Sequence, residues 1–177
     1  LDGIKNKIKV DPKGGILWVG VTLPRYSYRM YSMITGPHFI HYLSDQKLFA
    51  CNLNTKVYNS LLLRLPLVDQ KWGEVNRWKD IDPSLKVYRG KKTVYRQLCE
   101  CRLSIITANS TTFLETFAAN YPTVIFWNPN YFELRESAQH YYDDLKNAGI
   151  LHDSPESAAT KVNEIFEDPM FWWLSEK

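Results

Sequence analysis

Ser104-Ile105-Ile106-Thr107-Ala108-Asn109-Ser110-Thr111-Thr112-Phe113-Leu114-Glu115 decides how this chain is read. A short apolar run ends in small polar residues, and these lead into a helical pattern expected to cover 112–119. A strand therefore turns into a helix through a junction whose backbone N–H groups and hydroxyls stay open. The first N–H groups of a helix lack intrahelical partners and carry its positive end, so such a junction suits an anion, typically a phosphate. Glu115 has two readings. Thr112 and Glu115 fit the capping box S/T-x-x-E, in which Glu115 only serves its own helix. Alternatively, Glu115 accepts hydrogen bonds from a ligand hydroxyl pair such as a ribose diol.

Working outward, further apolar runs at 16–21, 60–65, 85–88, 103–107, 122–127 and 150–152 predict strands. Their unbroken apolar character is expected of strands buried on both faces. Helical spacing covers 38–53, 93–99 and 132–148, and a last helix opens at Ser154-Pro155-Glu156, with Ser as N-cap, and stops at Pro169. Residues 1–14 read as a polar lead-in, 22–29 as an aromatic and basic loop, and the segment with Asp69, Trp72, Arg77 and Trp78 as another loop. Phe171-Trp172-Trp173 reads as an exposed aromatic end. Strands alternating with helices predict an α/β fold, a doubly wound and mostly parallel sheet of about six strands.

In such sheets ligands bind at the carboxyl ends of the strands, near the switch in strand order. The loops after the first, second, fourth and fifth strands share that edge. They carry Arg25, Arg64, Arg77, the turn Asn109-Ser110-Thr111-Thr112, and Asn128. Cations meeting a helix N-terminus there suit a phosphate or diphosphate, although each arginine taken singly reads more readily as a surface or ion-pair residue. His38 and His41 stand three apart on one helix with no third ligand near in sequence. They read as packed or solvated, and no metal is expected.

Other chemistries are excluded or disfavoured. A net charge of +3, from 22 basic and 19 acidic residues without a basic run, argues against nucleic acid. There is no Gly-rich dinucleotide fingerprint, Walker sequence or G-x-S-x-G elbow. Cys51, Cys99 and Cys101 lack metal-ligand spacing and read as reduced thiols, so a cytoplasmic location is expected. No apolar run approaches a membrane span. An aromatic share of 14% points to rings in a groove or interface as well as in the core.

The block Thr107 to Glu115, followed by Asn120-Tyr121-Pro122-Thr123-Val124-Ile125-Phe126-Trp127, resembles a family of bacterial transferases associated with surface-carbohydrate (capsule and lipopolysaccharide) biosynthesis. The resemblance continues through Leu134-Arg135, Gly149-Ile150, Ala158-Ala159 and Trp172-Trp173, and reaches back to Arg64-Leu65-Pro66 and Arg77-Trp78. That family resembles two-domain glycosyltransferases of the GT-B type. The resemblance implies that residues 15–177 form a Rossmann-like domain, the C-terminal, donor-binding half of a longer protein. It implies that Asn109, Ser110 and Thr111 meet the donor phosphates and that Glu115 lies near the ribose. The implied partners are a nucleotide-sugar donor and an N-terminal domain across a cleft, with peripheral membrane association through the acceptor. No cofactor beyond the nucleotide-activated sugar is expected. Two alternatives stand beside this reading: a polyol-phosphate transferase using a CDP-linked donor, and a non-catalytic scaffolding domain contacting a partner through loop 22–33 and Trp172-Trp173.

Overall fold

A computed structural model describes residues 8–26, 36 and 38–175. Residues 1–7 of the lead-in and 27–33 of the aromatic loop lie outside the described residues. The chain runs β1 (Gly15–Val19), α1 (His38–Cys51), α2 (Thr55–Tyr58), β2 (Leu61–Arg64), α3 (Glu74–Ile81), β3 (Lys86–Tyr88), α4 (Val94–Leu98) and β4 (Cys101–Ile106). It continues with α5 (Thr111–Ala118), β5 (Thr123–Phe126), α6 (Gln139–Asn147), β6 (Leu151–His152), α7 (Pro155–Ile165) and α8 (Pro169–Leu174). The strands form one sheet in the order β3-β2-β1-β4-β5-β6, and every neighbouring pair is parallel. This is the doubly wound arrangement, with its switch point between β1 and β4.

Alternate side chains explain the unbroken apolar strands, because both faces are covered. Ile16, Trp18, Leu61, Leu63, Leu103, Ile105, Val124 and Phe126 pack on one face against Phe49, Trp78, Ala158 and Val162. Leu17, Leu98, Cys101 and Tyr121 pack together on the other, and Ile106, Ile125 and Phe113 continue that face toward the carboxyl edge. Trp18 is the largest of the side chains that are fully buried. It meets Trp78 edge-on at 5.1 Å and donates its indole N–H to Gln46 Oε1 at 3.1 Å.

Five local expectations are corrected. The loop expected around Arg77 and Trp78 contains α3, which follows Gly73 in a left-handed conformation (φ 63°) and buries only Glu74 and Trp78. One face with two buried positions leaves little periodicity to detect. Pro169 begins a helix rather than ending one: Asp168 accepts the Phe171 N–H as N-cap, and Pro169 occupies the first turn. The aromatic end is accordingly split, with Trp172 buried and Phe171 exposed. Finally, the helix expected over 132–148 is shortened to α6, preceded by two 3₁₀ turns at Pro129–Tyr131 and Glu136–Ala138, and α5 starts earlier than expected. The left-handed cap expected at Asn120 is present, with φ 51°.

Candidate functional site

The site begins where β1 and β4 separate. Past β1 the chain leads to α1, whose Phe49 lies on one face. Past β4 it leads to α5, whose Phe113 lies on the other. Two neighbouring parallel strands that send their loops to opposite faces leave a crevice at their carboxyl ends. Thr107 and Ala108 are buried at its base, whereas Asn109 and Ser110 are half-buried at its lip.

The N-cap of α5 is Ser110, in extended conformation (φ −133°, ψ 165°), and its side chain makes no capping hydrogen bond. The capping-box reading of Thr112 and Glu115 is thereby corrected. Thr112 is the second helical residue and Glu115 the fifth, two residues beyond the capping-box position, so Glu115 does not face the cap amide. The register is set by Phe113 and Thr116, which must face the sheet and are buried. The first-turn amides and the Ser110 hydroxyl thus have no capping partner among the described residues. Asn109 is oriented by the Tyr142 hydroxyl, which donates to its Oδ1 at 3.3 Å.

The two sides of α5 differ. Toward α6 opens a cavity of about 810 Å³, with Asn109, Ser110 and Thr111 at its polar end and Phe113, Phe117 and Tyr142 along its body. Thr112 and Glu115 are not among its lining residues. Glu115 instead faces α4, where its charge adds to burial in pushing the Tyr95 phenol up. The carboxylate is half-buried and no longer committed to a cap.

The expected arginines divide. Arg25 and Arg77 converge on Trp72. Arg25 lies over its ring at 5.3 Å and donates to the Lys71 carbonyl at 3.3 Å, while Arg77 Nε donates to the Trp72 carbonyl at 2.8 Å. Trp72 in turn donates its indole N–H to the Leu23 carbonyl at 2.8 Å, joining the loops after β1 and β2. Both arginines are exposed on this rim. Arg64 is held elsewhere, donating to the Lys92 carbonyl at 2.8 Å and to Gln97 Oε1, with its guanidinium over Tyr88. It secures the β3–α4 connection. Asn128 Oδ1 accepts the Asn130 N–H at 3.0 Å and caps the 3₁₀ turn after β5.

Beside the crevice lies a partly buried ionic cluster, with Glu74 its buried member, that has no counterpart in the sequence reading. Arg89 donates to Glu74 Oε2 at 2.8 Å and lies 3.4 Å from Asp69. Burial raises the Glu74 pKa despite Arg89 and the nearby Thr22 hydroxyl. Burial acts upward on Asp69 too, but there the Trp72 and Gly73 amides and Arg89 outweigh it and hold the carboxyl below its ordinary value. Thr22 Oγ1, Glu74 Oε1 and Arg89 Nε are buried without a hydrogen-bond partner of full geometry among the described residues. Their separation in sequence gave no signal.

His38 and His41 stack on the Tyr131 ring, at 5.3 and 5.9 Å. Among the described residues no group of three or more His, Cys, Asp or Glu side chains is placed to hold a metal, and no helix is long and apolar enough to cross a membrane.

Residues 2–177 match the model of the LIC12162 family of transferases, and the chain belongs to that family. No curated protein matches the sequence. Among solved structures, the fold is similar to that of WaaG, a glycosyltransferase involved in lipopolysaccharide biosynthesis, with a TM-score of 0.52 and 12% identity. The match covers 97% of this chain and 42% of WaaG, so the chain spans about two fifths of that enzyme's length. At this identity the likeness establishes the fold: a Rossmann-like domain of the kind found in GT-B glycosyltransferases.

Proposed function

We propose that this member of the LIC12162 transferase family binds the nucleotide-activated donor of a glycosyl transfer used in surface-polysaccharide assembly, and that the Ser110 turn holds the donor phosphates. The observation that carries the reading is the uncapped N-terminus of α5 at the β1–β4 switch point, with Ser110 making no cap bond. The nucleoside lies toward α4, where Glu115 receives the ribose hydroxyls. During transfer the bond between the anomeric carbon and the donor phosphate oxygen breaks, and negative charge develops on the departing phosphate. The first-turn amides of α5 stabilise that charge because they are fixed before the reaction, and Arg25 and Arg77 add positive potential from the rim. The acceptor hydroxyl forms the new bond and gives its proton to a base contributed by the other half of the enzyme across the cleft.

The test is a titration with UDP, GDP, CMP and CDP, followed by tryptophan fluorescence and amide shifts. One nucleotide should produce a saturable response, and Ser110→Ala/Thr111→Ala should weaken it about tenfold or more, equivalent to ~1.4 kcal/mol. Glu115→Gln should weaken binding while leaving the melting temperature unchanged, since the carboxylate caps nothing. Silence toward all four nucleotides at millimolar concentration would overturn the donor reading.

A further inference from the structure

The switch point contains a chain of hydroxyl groups whose direction is fully determined. Thr107 Oγ1 donates its only proton to the Val19 carbonyl at 3.1 Å. In its 2.7 Å bond with the Tyr42 hydroxyl it must therefore accept. Tyr42 spends its own proton on Thr107 and accepts the Val21 N–H at 3.0 Å. The order is Val21 N–H to Tyr42 O–H to Thr107 O–H to Val19 carbonyl. The chain starts and finishes at the end of β1 and passes through α1 and the first residue beyond β4. Both side chains are buried, Tyr42 at 4% and Thr107 at 0% exposure.

The location gives this chain its consequence. Register between β1 and β4 ends at the pair Val19 and Ile106, so Thr107 is the first residue outside the ladder. The backbones then diverge to opposite faces, and the hydroxyl chain bridges the gap at the root of the Asn109–Thr112 turn. A buried hydroxyl left without its partner is costly, so the bridge has one low-energy spacing rather than a range.

We propose that Tyr42 and Thr107 are positioning residues for the donor site, fixing the separation of β1 and β4 and thereby aiming the α5 N-terminus at the donor phosphate. The proposal rests on the reading of that turn as the phosphate site. Neither residue touches the ligand; both act through the backbone of the turn, where small displacements of a binding group have large effects on its productive geometry.

The fold contains its own control. Ser104 and Thr123 form a second buried hydroxyl bridge, Oγ to Oγ1 at 2.8 Å, with Thr123 donating to the Tyr121 carbonyl at 2.9 Å. It joins β4 to the beginning of β5, at the other end of that strand from the crevice. Thr107→Val, Tyr42→Phe and Thr123→Val, made in the full chain, should each lower the melting temperature. Only Thr107→Val and Tyr42→Phe should weaken the responding nucleotide tenfold or more. The same two variants should accelerate hydrogen exchange at the first hydrogen-bonded amides of α5, Glu115 and Thr116. Thr107→Ser, which keeps the hydroxyl, should restore both properties, and Tyr42→Phe keeps the comparison available where Thr107→Val does not fold. Equal losses of binding in Thr123→Val and Thr107→Val, or unchanged exchange in both crevice variants, would overturn the proposal. If the wild-type chain binds none of the nucleotides, the donor reading fails by itself, and the exchange comparison still decides whether the bridge positions the turn.

Discussion

Arg89→Met is expected to destabilise the fold by about 3–5 kcal/mol, the range for breaking a buried ion pair by removing one partner. Its partner Glu74 has a side chain only 1% exposed and keeps one carboxylate oxygen, Oε1, without a hydrogen-bond partner of full geometry among the described residues even when Arg89 is present. Methionine roughly fills the volume but leaves a buried charge uncompensated. The double variant Glu74→Gln/Arg89→Met removes that charge and should recover much of the loss. The sign of the pH dependence follows from linkage. Burial raises the folded-state pKa of Glu74 above its ordinary 4.5, so the folded chain holds this proton to a higher pH than the unfolded chain does. The associated stability is present below about 4.5 and is lost as pH rises through the folded value. Removing Arg89 moves that folded value further up. In urea melts, the deficit of Arg89→Met relative to the double variant should therefore widen above pH 4.5 and shrink toward it. A double variant that recovers nothing, with the loss in Arg89→Met independent of pH, would mean that lost packing, not the stranded carboxylate, is responsible. Thr22 stands on the loop after β1 and beside Glu74, so the same variant should also loosen the wall of the crevice.

The sheet was legible in the sequence for a physical reason: strands covered on both faces must be apolar at successive positions. Ile16-Leu17-Trp18 and Ile105-Ile106 satisfy that requirement, and each residue is buried. Local signals failed where two rules competed. Pro169 is compatible both with stopping a helix and with starting one, and the Asp168 cap with the burial of Trp172 selects the start. Thr112 and Ser110 are both chemically competent caps, and the need of Phe113 to face the sheet selects Ser110. The turn itself was readable because strand, small polar residues and helix follow one another without interruption. The rim was only partly readable: Arg25 and Arg77 meet at Trp72, whereas Arg64 is diverted to Gln97. The supporting polar groups could not be found locally. Tyr42 and Thr107 lie 65 residues apart and Glu74 and Arg89 lie 15 apart, so only the folded chain makes them neighbours.

Ser110→Asp should separate stability from binding by moving them in opposite directions. Ser110 has the extended N-cap conformation but makes no side-chain cap bond. Aspartate is among the preferred N-cap residues, and its charge is favourable at the positive end of a helix by about 0.3–1 kcal/mol. The melting temperature should therefore rise slightly. The same carboxylate would occupy the position assigned to the donor phosphate and repel it. At a separation near 4 Å and an effective dielectric constant of about 20, two unit charges interact by roughly 4 kcal/mol. Solvent screening at the half-open lip reduces that figure, and a loss of nucleotide affinity of at least about tenfold is expected. The loss should diminish as salt is raised, because a charge effect is screened and a steric one is not. Calorimetric melting and nucleotide titration at two salt concentrations check both signs. A variant that is stabilised and still binds nucleotide with wild-type affinity would show that the α5 N-terminus is an ordinary helix start, and the donor phosphate would have to be held elsewhere on the edge, with Arg25 and Arg77 the next groups to replace.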